Sequence, residues 1–150
     1  MKLTAFTDDS LRILIYLAAE PERGATIADI AAAFDIFEHH LTKVVHFLGR
    51  SGWVATARGK GGGLGLAMAA DQIGVGAVVR QTEGADLPAE CFGAEGGHCA
   101  IVPVCRLRDV LREAVETFHA VLDRYPRADL VQNRRALARL LFNDRAARPA

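Results

Sequence analysis

Apolar residues recur at helical spacing in three stretches of the first fifty residues. The first stretch predicts a helix from Thr7, as its N-cap, to about Ala19, with Asp8 in the first turn, where the helix dipole favours a negative charge. A second helix is predicted to start at Thr26, and a third to cover residues 38–48. Two short helices joined by a tight turn are typical of a helix-turn-helix.

The residues after the third helix predict a β-hairpin with a basic tip. Residues 53–57 and 64–68 have the composition and alternation of strands, and a glycine-rich loop that contains Arg58 and Lys60 joins them. Three helices followed by a hairpin is the element order of a winged helix. In that fold the third helix enters the major groove of DNA, and the hairpin contacts an adjacent phosphate or the minor groove.

The second half of the chain is dominated by one amphipathic pattern. A short apolar helix is predicted over residues 73–82, followed by a loop over residues 84–104. Residues 106–125 then carry the longest helical repeat of apolar positions, and a further helix is predicted over residues 129–142. A small winged helix offers little surface to cover so long a stripe. We therefore expect a symmetric homodimer that places two recognition helices on a palindromic site.

These patterns predict a mainly α protein with a β-hairpin, in which a winged helix-turn-helix domain precedes a long C-terminal dimerisation helix. The domain is expected over residues 1–83, a cysteine loop over residues 84–105, and the dimerisation helix with a helical tail over residues 106–150. The formal net charge is zero, so DNA binding needs a local basic patch. No apolar run approaches the ~20 residues that span a bilayer, and no signal peptide is apparent, which predicts a cytoplasmic protein.

The three cysteines of the chain, Cys91, Cys99 and Cys105, lie within fifteen residues of one another. An odd count without a secretory signal disfavours disulfides, and a glycine-rich loop is an unusual place for core thiols. A catalytic thiol would have only the adjacent His98 as a base. Metal binding uses all three, but zinc sites and iron-sulfur clusters usually take four protein ligands. The fourth is left open between His98, which gives a zinc-stabilised interaction module, and a carboxylate outside the loop.

Candidate DNA contacts lie on the third helix and in the hairpin loop. His39, His40 and Lys43 are predicted to face away from the apolar stripe of the third helix, where polar donors suit a recognition helix better than a plain solvated face. Arg58 and Lys60 flank glycines that let the backbone approach a sugar-phosphate wall. We interpret this loop as a DNA-contacting wing rather than a simple turn.

Several stretches of the sequence also resemble a known family. These stretches are MKLTAFTDDSLRILIYLA, RGKGGGLGL, CFGAEGGHCAIVPVCRL and YPRADLV. Together they resemble the NsrR-like repressors, a nitric-oxide-sensing group in the winged-helix family that also contains the iron-sulfur regulator IscR. The most specific part of the resemblance is the three-cysteine segment that leads into the long helix, because the wing alone would identify only the wider family.

The resemblance implies a homodimeric, nitric-oxide-sensing transcription repressor, and not an enzyme, with a 4Fe-4S cluster on Cys91, Cys99 and Cys105. It implies that Asp8 of the partner subunit is the fourth ligand. Nitric oxide would then modify the cluster, and the protein would release its double-stranded DNA operator. A regulator of the same fold that senses iron-sulfur status or redox is the alternative.

One departure from the resemblance concerns the start of the third helix. Relatives commonly begin this helix with a small N-cap residue and a basic residue, whereas this chain has Phe37 and Glu38. We therefore expect an altered operator preference or weaker binding.

Overall fold

The computed structural model describes residues 2–57, 63–84, 89–92 and 99–143. Its helices and strands follow the chain in this order: α1 (Ala5–Ala19), α2 (Ile27–Phe34), α3 (Glu38–Arg50), β1 (Val54–Ala57), β2 (Gly63–Leu66), α4 (Val75–Glu83), α5 (Arg106–Asp123), α6 (Arg127–Leu130) and α7 (Arg134–Ala138). Short 3-10 helices lie at Ala70–Gln72, Glu90–Phe92 and Val102–Val104, and a π-helix at Arg139–Asn143 follows α7. The prediction of a mainly α fold with one hairpin is confirmed.

The core of the protein lies between α1, α2, α3 and the hairpin, as in a winged helix. Its fully buried side chains come from these three helices and from α4, and they include Ile13, Leu14, Ile30, Leu41, Val44, Leu48 and Val78. Burial of each such side chain stabilises the fold by about 1.5–3 kcal/mol relative to exposure. The packing holds α3 with its inner face on α1 and α2 and its opposite face in solvent.

One isolated β-bridge joins the hairpin to the segment between α1 and α2. β1 and β2 are antiparallel, and Ala25 pairs with Leu64 through two backbone hydrogen bonds of 3.0 and 2.6 Å. At Gly63 a Cβ atom would stand 2.8 Å from the Ala25 carbonyl oxygen. The close approach of the two backbones therefore requires glycine where the wing begins.

The sequence prediction for the start of the first helix is wrong. The N-cap of α1 is Thr4, whose side chain accepts a hydrogen bond from Thr7 N, so the helix begins three residues before the expected position. Thr7 is buried instead, and its hydroxyl donates to Thr82 Oγ1 at 2.8 Å. By contrast, Thr26 forms the predicted capping box with Asp29.

The C-terminal tail is not one helix over residues 129–142. It consists of α6, a turn, α7 and the π-helix, and the break falls at Val131, which is buried and has φ −119° and ψ 21°. Arg134 fixes the next segment by donating to the Ala18 carbonyl oxygen from Nε at 3.1 Å and from Nη2 at 2.8 Å. Among the helices that the structure describes, none is long and apolar enough to cross a membrane.

Candidate functional site

The cysteine segment, residues 84–105, is described at its ends and around Cys91. Cys91 lies half-buried in the 3-10 helix Glu90–Phe92, Cys99 is exposed, and Cys105 is the half-buried N-cap residue of α5. All three are free thiols. None of the three belongs to the hydrophobic core cluster, so the packing of the core does not depend on them. The segment therefore offers three thiol ligands without cost to the core.

Two short turns connect these thiols to the start of α5. The Val102 backbone N–H donates to the Cys99 carbonyl oxygen at 3.2 Å, and this turn leads directly into Cys105. The Cys91 turn lies against the same helix end, because the Arg108 guanidinium stands over the Phe92 ring at 5.8 Å. The first turn of α5 is thus a shared neighbour of the first and last cysteine.

Arg108 has a buried nitrogen that donates a hydrogen bond to none of the described residues. Its Nε is buried and has no hydrogen-bond partner there. A guanidinium N–H at this position suits an acceptor with negative charge, such as a cluster bound by thiolates, whose properties depend on hydrogen bonds to sulfur. The donor set and this unpaired cation fit an iron-sulfur group. Within the described ranges, however, no three side chains of His, Cys, Asp or Glu come together, and His98 lies outside those ranges.

Asp8, the expected fourth ligand, lies on the first turn of α1. Its side chain is 52% exposed and forms an ion pair with Arg12 at 2.6 Å. The exposed carboxylate is accessible to a second copy of the chain. Because surface ion pairs contribute only about 0–1 kcal/mol, little would be lost if Asp8 exchanged Arg12 for a metal.

The turn that carries Asp8 is attached to the residue that precedes the cysteine segment. Glu83 Oε1 accepts hydrogen bonds from Thr4 N at 2.8 Å and from Thr4 Oγ1 at 3.1 Å. Burial alone would raise the pKa of Glu83, but the hydrogen bonds from Thr7 and Thr4 outweigh it, so this pKa lies below its usual value. Glu83 is therefore ionised at neutral pH and holds the start of α1 beside the end of α4.

The outer face of α3 presents most of the predicted DNA contacts. His39 and Lys43 are exposed there, as are His46 and the N-cap residue Phe37. His40 differs from the expectation, because it is half-buried and its Nε2 lies 2.9 Å from Oδ2 of the buried Asp9, without the alignment of a hydrogen bond.

The predicted wing contacts, Arg58 and Lys60, lie outside the described residues. The strands on either side of them are described, and they pair in the register that places Ala57 opposite Gly63. The loop therefore connects two strand ends that lie next to each other. Whether its two cations contact DNA stays a prediction.

The long helix α5 keeps much of its apolar surface in solvent. None of its residues is fully buried, and Leu107, Val110 and Val121 are 63%, 55% and 39% exposed. Val104, just before the helix, is 82% exposed. So many exposed apolar side chains on and beside one helix are typical of a protein interface.

Sequence reasoning missed the contact that holds α5 to the DNA-binding half. Arg80 on α4 forms a two-pronged ion pair with Asp123, which lies 43 residues further along the chain. Gly76 lies beside it, because a Cβ atom there would come within 2.1 Å of Asp123 Oδ1. Only the glycine in a predicted helix, which costs about 1 kcal/mol relative to alanine, signalled a close approach.

Comparison with known proteins places these observations in context. A family model named Rrf2 and described as an iron-dependent transcriptional regulator matches residues 3–133. The HTH-type transcriptional regulators NsrR of Geobacillus kaustophilus and Bacillus subtilis are 49% and 48% identical to the chain over 142 residues, which cover 94% of it and 97% of each relative. The structure of CymR, the global cysteine regulator of B. subtilis, has a TM-score of 0.67 and 29% identity over 89% of this chain and 98% of that chain. The similarity thus spans the helix-turn-helix, all three cysteines and α5.

Proposed function

This chain belongs to the Rrf2 family of transcriptional regulators, and from that premise we propose that it is a nitric-oxide-sensing repressor controlled by a 4Fe-4S cluster. Like its relatives, the protein is a DNA-binding transcriptional regulator and not an enzyme. The observation that carries the proposal is the set of three free thiols that ends on the N-cap of α5. Nitric oxide is the effector that the resemblance to the NsrR-like repressors implies, and two relatives named NsrR, each nearly half identical over almost the whole chain, support that resemblance.

In this proposal Cys91, Cys99 and Cys105 bind the cluster, and Asp8 of the partner subunit supplies the fourth ligand. Three thiolates would leave one iron of the cluster without a cysteine ligand, and the exposed carboxylate of Asp8 is suited to fill that position from a second copy. A carboxylate is a weaker partner for iron than a thiolate, so the bound cluster supplies one iron that a small diatomic ligand can attack. Arg108 balances the negative charge of the thiolates at the start of α5.

We further propose that the regulator acts as a homodimer on a palindromic operator. The exposed apolar residues of α5 provide the surface for a second copy, and a two-fold axis between two such helices would place both copies of α3 on one face of the DNA. His39 and Lys43 would then contact the major groove, while Arg58 and Lys60 contact the backbone or the minor groove.

Two contacts are positioned to connect the cysteines to the DNA-binding half. Glu83, next to the cysteine segment, holds Thr4 at the start of α1. Arg80, on the same helix, holds Asp123 at the end of α5. A change in how the cysteine segment is held would therefore reach α1 and α5 through α4. We propose that this movement lowers DNA affinity when nitric oxide reacts.

The proposal is tested on full-length protein purified without air. We expect a brown protein with about four iron and four sulfide per chain, as a cubane cluster requires. Nitric oxide should bleach its absorption and weaken operator binding, measured as the dissociation constant before and after addition. The Cys99→Ala variant is the matched control, because an exposed thiol can be removed without leaving a cavity in the core. This variant should neither bind iron nor respond to nitric oxide.

Two results would contradict the proposal. Colourless, zinc-loaded protein with unchanged DNA affinity would identify a zinc-stabilised module instead. An equal response to oxygen and to nitric oxide would identify a redox or iron-sulfur-status regulator of the same fold.

A further inference from the structure

The N-cap residue of α3, Phe37, is a large apolar side chain that the described fold does not use. It is 78% exposed and lies outside the core cluster. Its side chain makes no capping hydrogen bond, which leaves an N-cap position that Ser, Thr, Asp or Asn would fill better. Among the residues that the structure describes, its ring contacts that of the exposed His39, whose centroid is 5.8 Å away at an interplanar angle of 30°. Phe37 is therefore a less stabilising N-cap than a polar residue would be, and its ring adds little packing to the fold.

Phe37 lies at the end of α3 that is expected to approach DNA. In helix-turn-helix proteins the N-terminal residues of the recognition helix contact the base edges in the major groove. Phe37 and His39 lie together at that end of α3, ahead of the exposed Lys43. The Thr42 hydroxyl on the same helix donates its hydrogen bond to the Glu38 carbonyl oxygen at 2.8 Å, so its proton is not available to a base. An aromatic ring thus occupies the foremost position on the face expected to meet DNA.

The major groove offers an aromatic side chain one apolar partner, the C5-methyl group of a pyrimidine, which unmodified DNA carries only on thymine. Wedging of apolar side chains between base steps is instead a feature of minor-groove binders. We infer that Phe37 is a specificity-determining residue that contacts a thymine methyl group in each half-site of the operator. This inference rests on the proposed function, since it requires sequence-specific DNA binding by α3.

The test removes the methyl group and nothing else. An operator is first selected from random double-stranded DNA with the full-length protein, and each thymine of the selected half-site is then replaced by deoxyuridine in both half-sites. At one position we expect the affinity to fall by about fourfold per half-site and about 15-fold for the dimer, which corresponds to burial of one methyl group on each side. The Phe37→Ser variant should bind the two operators equally at that position.

Phe37→Ser is a suitable variant because serine is a preferred N-cap residue and the lost ring is exposed. Thermal unfolding should show it to be at least as stable as the wild type. Lys43→Ala is the control for affinity, because it should bind more weakly overall yet keep the discrimination between thymine and deoxyuridine. Leu140→Ser removes another exposed apolar side chain, far along the chain from α3, and should change neither property.

The outcomes separate this inference from the proposed function. A library that enriches no sequence would overturn both. A selected operator that the wild type binds equally with thymine or deoxyuridine at every position would overturn the inference alone. Discrimination that persists in Phe37→Ser would also overturn it, since another residue would then contact the methyl group.

Discussion

Arg80 donates two hydrogen bonds to the carboxylate of Asp123, from Nη1 to Oδ1 at 2.6 Å and from Nη2 to Oδ2 at 2.5 Å. The pair joins α4, the last helix of the winged helix, to the C-terminal end of α5. Backbone contacts continue the connection, because the Val75 N–H donates to the Tyr125 carbonyl oxygen at 3.1 Å. The position at which the long helix leaves the DNA-binding half is thus fixed by side chains on both elements.

The Arg80–Asp123 pair should make stability depend on acid pH. The Arg80 hydrogen bonds lower the pKa of Asp123, against a smaller opposing effect of desolvation. A carboxylate whose folded pKa is depressed contributes stability above its unfolded pKa, about 3.9, and loses it as pH falls through the folded pKa. We expect Asp123→Asn to be less stable than the wild type in urea at pH 7, and the difference to shrink below about pH 4. Glu83 is common to both proteins and cancels, so a pH-independent difference would contradict this assignment.

Gly76 should be intolerant of a side chain although it lies within a helix. A Cβ atom would stand 2.1 Å from Asp123 Oδ1 and 3.1 Å from the Asp123 backbone nitrogen. The gain in helix propensity from Gly76→Ala, about 1 kcal/mol, should be outweighed by overpacking, which typically costs 1–3 kcal/mol. Gly49→Ala is the matched control, because its nearest contact is a backbone oxygen 3.8 Å away. Urea titration should show a lower midpoint for Gly76→Ala and a higher one for Gly49→Ala.

The features predicted correctly from sequence are those that neighbouring residues determine. The capping box of Thr26 and Asp29 needs only a four-residue pattern, and the inner face of α3 needs only helical periodicity. The start of α1 was mispredicted because Thr4 and Thr7 are both acceptable N-caps. What separates them is Thr82, which receives the Thr7 hydroxyl from 75 residues away and cannot be read from the local sequence.

The site shows the same division between local and distant determinants. The cysteines could be singled out by their clustering, but the approach of the Cys91 turn to α5 depends on a contact between Phe92 and Arg108. The tail was predicted as one helix because its apolar positions keep helical spacing. Its break is set by burial of Val131 and by the hydrogen bonds of Arg134 to Ala18 on α1.

Thr4→Ala should affect both the fold and the retention of iron. Loss of the N-cap should cost about 1 kcal/mol, and loss of the Thr4 Oγ1 hydrogen bond to Glu83, which leaves the one from Thr4 N in place, should also loosen the turn that carries Asp8. Thr26→Ala removes another N-cap at a similar cost but makes no contact with Glu83. We therefore expect both variants to unfold at lower urea, and only Thr4→Ala to lose iron faster to a chelator. Equal rates of iron loss in the two variants would show that Thr4 does not position Asp8.

Asp8→Ala should separate the ligand role from stability. The carboxylate is half-exposed and, within the described part of the chain, pairs with Arg12 alone, so the free energy of unfolding should change by no more than about 1 kcal/mol. If Asp8 of the partner subunit holds one iron, the variant should show an altered absorption spectrum and faster iron loss. Arg12→Ala breaks the same ion pair and should leave the spectrum unchanged. Matching spectra for all three proteins would exclude Asp8 as a ligand.

Lys60→Ala should weaken DNA binding to the same extent on every sequence. A lysine that contacts a phosphate releases one counterion, so the slope of log affinity against log salt should decrease in magnitude by about 0.9 per subunit, or about 1.8 for the dimer. Lys43→Ala should instead weaken binding more on the selected operator than on random DNA, because α3 is expected to contact base edges. Lys2→Ala is the control of equal charge, since Lys2 lies beside α4 and α5 rather than on α3. If Lys60→Ala and Lys2→Ala give the same affinity and the same slope, the loop between β1 and β2 makes no phosphate contact, and the proposed DNA surface reduces to α3.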